Sequence, residues 1–133
     1  MDQNQFTVWK NPDCGCCREW AAHLRKNGFE VVTNDVKDNV PIRQKLGFPE
    51  KFGSCHTALL GDYVIEGHVP ARELQRLLRE RPSARGLAVP GMPVGSPGME
   101  VGNARDAYDV LLVLTGGSSR IYQSYPLKSP TNT

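Results

Sequence analysis

Three of the four cysteines fall within four residues, in Asn11-Pro12-Asp13-Cys14-Gly15-Cys16-Cys17, and the fourth stands apart as Cys55. Cys14 and Cys17 make a C-x-x-C pair. At the start of a helix this spacing brings two sulfurs within disulfide reach. The free N–H groups and the positive end of the helix dipole also stabilise a thiolate on the first cysteine. Cys16 adds a third thiol inside the pair. To a dithiol redox couple it is a competing disulfide partner; to a soft metal ion it is one more preferred ligand. A thiol cluster of this kind points to redox chemistry or metal binding. Four cysteines in 133 residues are too few for a disulfide scaffold, where cysteine exceeds about 8–10%. Neighbouring Cys16 and Cys17 can bond to each other only with strain.

The elements that must position these thiols follow from periodicity. Phe6 to Lys10 alternates as a strand does and is broken by Pro12. Asp13 or Cys14 caps a helix running from Cys16 to about Asn27, with Cys17, Trp20, Ala21 and Leu24 as its buried stripe and Gly28 as its left-handed end. Phe29 to Asn34 is a second strand, parallel to the first through a right-handed crossover. A short helix lies within Asp38 to Leu46 and begins near Pro41. Phe48 to Gly53 is a loop. Cys55 sits where a loop enters the strand ending at Leu60; Gly61-Asp62 turns into the strand Tyr63 to Gly67. Pro70 opens a helix through Glu80 with Leu74, Leu77 and Leu78 on its apolar stripe.

The resulting β-α-β-α-β-β-α order is that of the thioredoxin fold. The fold class expected is therefore α/β, thioredoxin-like, with a central mixed sheet flanked by helices. In that fold the loop before the third strand carries a cis-proline and lies against the C-x-x-C turn. No proline stands there in this chain, and His56 takes its place. Cys55 is thus expected beside the other three sulfurs. Beyond Arg81, Gly86 to Glu100 is so dense in glycine and proline that an extended, turn-rich excursion without a helix or central strand is expected. A final hairpin follows, Asp109 to Leu114 and Ser119 to Ser124 around Gly116-Gly117, and residues 126–133 are expected to form a frayed tail. The whole chain, 1–133, reads as one domain: a core over about 6–80, then the excursion and hairpin over about 81–125.

A net charge of +2 with scattered basic residues provides no footprint for nucleic acid or anionic lipid. The longest apolar runs, such as Val110 to Leu114, are too short to span a bilayer. Met1 to Gln5 is polar and is not a secretory signal. That fits a cytosolic protein, or a mature exported one with an initiator Met in place of its leader.

Four ionised thiolates carry a charge of about −4. One Cu(I) leaves most of it uncompensated and one Zn(II) halves it, whereas several bridged Cu(I) ions neutralise it. The expectation is a multinuclear Cu(I)–thiolate cluster on Cys14, Cys16, Cys17 and Cys55. Structural zinc usually takes two separated ligand pairs, and this chain offers a 3+1 arrangement. Four buried cysteines serving only as small apolar residues remain the plainest alternative. His56 and His68 are secondary candidates; His56 is a ligand, a proton acceptor for Cys55 or a loop residue, and His68 a supporting residue rather than a ligand. His23 reads as a solvated surface residue. Met92 and Met99 are thioethers suited to Cu(I) or to core packing. Trp9 and Trp20 read as packing residues that keep water from the thiolates.

Four motifs resemble one bacterial family: Asn-Pro-Asp-Cys-Gly-Cys-Cys, Ser-Cys-His-Thr-Ala, Tyr-Val-Ile-Glu-Gly-His-Val-Pro-Ala, and Gly-Leu-Ala-Val-Pro-Gly-Met-Pro-Val-Gly-Ser-Pro-Gly-Met-Glu. The chain resembles the CopG-type copper-resistance proteins, which carry a domain of unknown function, over roughly Thr7 to Ser124. The resemblance implies a thioredoxin-like fold, export to the periplasm and a role in copper handling. The function expected is periplasmic Cu(I) binding in copper resistance, gated by redox state because Cys14 and Cys17 can also close as a disulfide. A thiol–disulfide or copper oxidoreductase using that pair is the competing class. A module that hands copper to another periplasmic copper-handling or redox protein is a third.

Overall fold

A computed structural model describes residues 5–125 apart from Met92 and Arg105, so the expected tail over 126–133 lies outside the described residues. The chain runs β1 (Gln5–Lys10), α1 (Gly15–Lys26), β2 (Glu30–Asp35), α2 (Val40–Lys45), β3 (His56–Leu60), β4 (Tyr63–Gly67), α3 (Ala71–Glu80), β5 (Gly86–Val89), β6 (Tyr108–Val113) and β7 (Ser119–Tyr125). A 3₁₀ turn at Glu50–Phe52 sits in the loop before β3. The expected β-α-β-α-β-β-α order is present. The strands form one mixed sheet in the order β2-β1-β3-β4-β5-β6-β7. β1 pairs parallel with β2 and antiparallel with β3, and β3 pairs antiparallel with β4.

Side chains alternate across the strands, so the sheet has two apolar faces. Phe6, Val8, Ala58, Leu60, Ile65, Leu87, Val89, Val110 and Leu112 share the larger core with Trp20 and Leu24 of α1 and Leu74 and Leu77 of α3. Val64, Ala88 and Val113 point the other way, against Phe48 and Phe52.

The excursion begins later than the sequence suggests. Gly86-Leu87-Ala88-Val89 is a buried strand, parallel to β4 and antiparallel to β6. A run of four apolar or small residues is long enough for a strand, and the breakers that stop it start at Pro90. Gly86 is required there, because a Cβ would lie 1.7 Å from the carbonyl oxygen of Val64. The expected C-terminal hairpin is β6–β7. It is tied to α3 by Tyr125 Oη donating to Glu73 Oε1, Tyr122 Oη donating to Glu80 Oε1 at 2.9 Å, and Arg76 stacked 3.9 Å from the Tyr122 ring centre.

α1 starts at the cysteines because Cys14 is its N-cap, its Sγ accepting from Cys17 N at 3.3 Å. The stripe Cys17, Trp20, Ala21 and Leu24 is buried as expected. Gly28 takes φ +89 beyond the helix, and Phe29 N donates back to Leu24 O at 3.1 Å.

His23 is not a solvated residue. It is half-buried, and its Nε2 accepts from Ala71 N at 3.1 Å. α3 has Pro70 at its N-cap with no side-chain cap of its own, so an imidazole from α1 satisfies one of its orphan N–H groups. Burial holds the His23 pKa below its usual value, with Lys26 acting the same way and Glu100 opposing. A lowered folded-state pKa means that the stabilisation is complete above the unfolded value of about 6.5 and is lost as pH falls through the folded value. Thermal melts should therefore drop as pH falls below about 6.5. His23→Gln, which caps at all pH values, should flatten that segment of the Tm–pH curve.

Candidate metal centre

All four cysteine sulfurs lie within 4.8 Å of one another. Cys14 and Cys17 form a disulfide with Cα atoms 5.3 Å apart. Cys16 Sγ is 3.3 Å from Cys14 Sγ, and Cys16 and Cys55 stand outside the bond as thiols. Cys14, Cys16 and Cys55 are half-buried and Cys17 is fully buried. The α1 N-terminus thus presents three sulfurs, and the loop into β3 brings the fourth from across the site, as the element order led one to expect.

Two imidazoles complete the cluster. Cys55 Sγ is 3.3 Å from His56 Nδ1 and 3.2 Å from His68 Nε2, and these three ligand atoms also lie within 4.8 Å of one another. Their tautomers are set from behind. His56 Nε2 meets Gly67 O at 2.8 Å, and a carbonyl only accepts, so Nε2 carries the proton and Nδ1 offers a lone pair. His68 Nδ1 meets Pro97 O at 2.6 Å, which leaves the lone pair on Nε2. Both lone pairs face the Cys55 sulfur. His56 Nδ1 is also 3.3 Å from Cys17 Sγ.

Burial sets the charge states. Both histidines are fully buried. Burial, helped by His68, pushes His56 down to about 3, and burial also lowers His68 against the pull of the Pro97 carbonyl and Glu100. Cys55 is pushed up to about 12, first by burial and then by Cys16. At neutral pH the pocket thus holds a thiol at Cys55 and two neutral imidazoles. That is a donor set ready for a soft cation and inhospitable to bare negative charge.

Trp20 forms the floor. Its ring centre is 4.3 Å from that of His56, and its Nε1 donates to Val69 O at 2.8 Å. The Gly/Pro-rich excursion forms the wall. Besides the Pro97 carbonyl, Gly91 O accepts from Ser54 Oγ at 2.6 Å. Gly98, at φ +90, lies so close that a Cβ would come within 2.7 Å of Cys16 O and 3.1 Å of His68 Nδ1. Met99 is half-buried on the turn that follows; Met92 lies outside the described residues.

The placement of His68 was legible in one signal. With Gly61-Asp62 as a two-residue turn, Thr57 pairs with Glu66, and two steps further out Cys55 stands opposite His68. The carbonyls that fix the tautomers had no such signal, since any residue supplies one.

Known proteins show the same frame. A solved structure of copper resistance protein CopG, form 1, is 43% identical with a TM-score of 0.87, over 92% of this chain and 97% of the other. The chain belongs to the CopG copper-resistance family. Form 2 of CopG is 44% identical with a TM-score of 0.84, over 92% of this chain and 98% of the other. A protein family of unknown function, DUF411, matches residues 52–99, which include Cys55, His56, His68 and Pro97. Among functionally curated proteins none matches the chain. Shared family and the Cys/His cluster together make this site the chain's candidate metal centre.

Gly98→Ala tests the wall. Overpacking against fixed backbone costs about 1–3 kcal/mol, and the positive φ adds strain. Urea unfolding should show a loss of that size, and the NMR signal of the His68 Nδ1 proton should shift or vanish as its bond to Pro97 is stretched.

Proposed function

We propose that this protein binds Cu(I) in the periplasm as part of copper resistance, holding several ions on Cys14, Cys16, Cys17 and Cys55. The observation that carries the reading is the meeting of four sulfurs within 4.8 Å in a chain of the CopG family. Charge supports more than one ion. Four thiolates around a single Cu(I) leave a net charge of about −3 in a half-buried pocket, which desolvation opposes strongly. Bridging sulfurs shared among several Cu(I) ions remove that charge. His56 Nδ1 and His68 Nε2 add neutral donors on the Cys55 side, and the thioethers of Met99 and Met92 are candidates for transient contact at the excursion.

Binding is redox-gated. The Cys14–Cys17 disulfide takes two of the four sulfurs out of use, and its two-electron reduction returns them as thiols. The same disulfide at a helix N-terminus favours a second reading, a thiol–disulfide or copper oxidoreductase in which Cys14 and Cys17 exchange electrons with a partner. Copper delivery to another periplasmic copper or redox protein is compatible with either.

Anaerobic titration of the reduced protein against a Cu(I) chelator should saturate well above one equivalent per chain. The oxidised protein should take up less. Saturation at one equivalent defeats the multinuclear reading. Cys16→Ser should preserve the Cys14–Cys17 redox couple and lower the copper capacity. Because Cys55 is a thiol at neutral pH, copper uptake should release its proton, and Cys55→Ser should reduce the protons released in an unbuffered titration by about one per chain.

A further inference from the structure

Only Cys55 separates Ser54 from the first residue of β3, and the loop before it holds no proline beyond Pro49. Side chains fix it instead. Ser54 N donates to Glu66 Oε2 at 2.7 Å. Ser54 O accepts from Arg43 Nη2 at 3.1 Å and from Asn39 Nδ2 at 3.3 Å. Both polar backbone atoms of the residue preceding Cys55 are therefore held.

The groups that hold them are deeply placed charges. Glu66 on β4 is fully buried and Arg43 on α2 is 3% exposed. Arg43 Nε and Nη2 donate to Glu66 Oε2 at 3.1 and 2.8 Å, and Thr57 Oγ1 donates to Glu66 Oε1 at 2.7 Å. Arg43 Nη1 forks onto both oxygens of Glu50 at 2.7 and 2.9 Å. Gly53 makes room for the guanidinium, since a Cβ there would be 2.9 Å from Arg43 Cζ.

A buried ion pair is a poor device for stability. Desolvation offsets most of its attraction, and apolar replacements of both partners are often neutral or better. What an apolar pair cannot do is bond to both sides of Ser54. We propose that Arg43 and Glu66 are positioning residues for Cys55, clamping Ser54 so that the Cys55 sulfur stays facing Cys17 and the two imidazoles. The proposal rests on Cys55 being a working thiol, as in the copper-binding reading.

The test measures position without copper. In a Cys14→Ser/Cys16→Ser background only Cys17 and Cys55 remain. Equilibration with glutathione disulfide transfers two electrons and two protons from this pair, forming one internal disulfide and two glutathiones. The equilibrium ratio reports the effective concentration of one thiol at the other. Adding Arg43→Met/Glu66→Leu should lower it at least tenfold while circular dichroism and the Tm of the reduced protein stay near those of the parent. Thr57→Val, which removes one bond to Glu66, should lower it severalfold and carries the test if the double replacement does not fold. An effective concentration unchanged by these replacements, or a parent that forms no internal disulfide, overturns the proposal. If the effective concentration falls as expected while the reduced four-cysteine protein takes up no Cu(I), the clamp stands and the copper reading fails.

Discussion

The site depends on the register of β3 against β4. A two-residue turn at Gly61-Asp62 leaves one pairing, with Thr57 opposite Glu66. Every contact on the β3 side of the cluster follows from it. It sets Cys55 against His68, brings His56 Nε2 to Gly67 O, and lets Glu66 reach Thr57 Oγ1. A slip of one residue would reverse all of these faces at once. The register is held by burial on both sides, since β4 is buried at all five positions, with Tyr63 and Ile65 in one core and Val64 in the other.

Against that fixed hairpin, α1 supplies the other sulfurs. Its N-cap is a cysteine, so the atom that completes the helix end is also a member of the cluster. Its buried stripe carries Trp20 beneath His56. Helix packing and the placement of the cluster's side chains are thus one problem, and a change at Trp20 would disturb both. The charges match the burial: two neutral imidazoles and a protonated Cys55 place no bare charge inside the pocket.

Much of this was legible in the amino-acid sequence, where local rules decide. The C-x-x-C helix start, the buried stripe of α1, the Gly28 end, the β3–β4 hairpin and the arrival of Cys55 follow from periodicity, caps and turn chemistry. β5 did not, because its four residues are adjacent to a long run of breakers and become a strand only between β4 and β6. His23 reads as polar surface on its own helix; its work as a cap exists only because α3 begins beside it. The Arg43–Glu66–Ser54 network joins α2, β4 and a loop, and separated charges in a sequence give no hint that they will meet in the interior.

The carbonyl of Pro97 has a consequence for how the site comes into being. It fixes His68 from a segment that follows β5, while the first thiols lie at the start of α1. In a chain that emerges from its N-terminus, Cys14, Cys16 and Cys17 are present long before Cys55, and the backstop of His68 comes last. A nascent chain therefore passes through stages with three thiols and then with four but an unlocked imidazole. The cluster is thus built from first to last, and the segment made latest is the one that completes it.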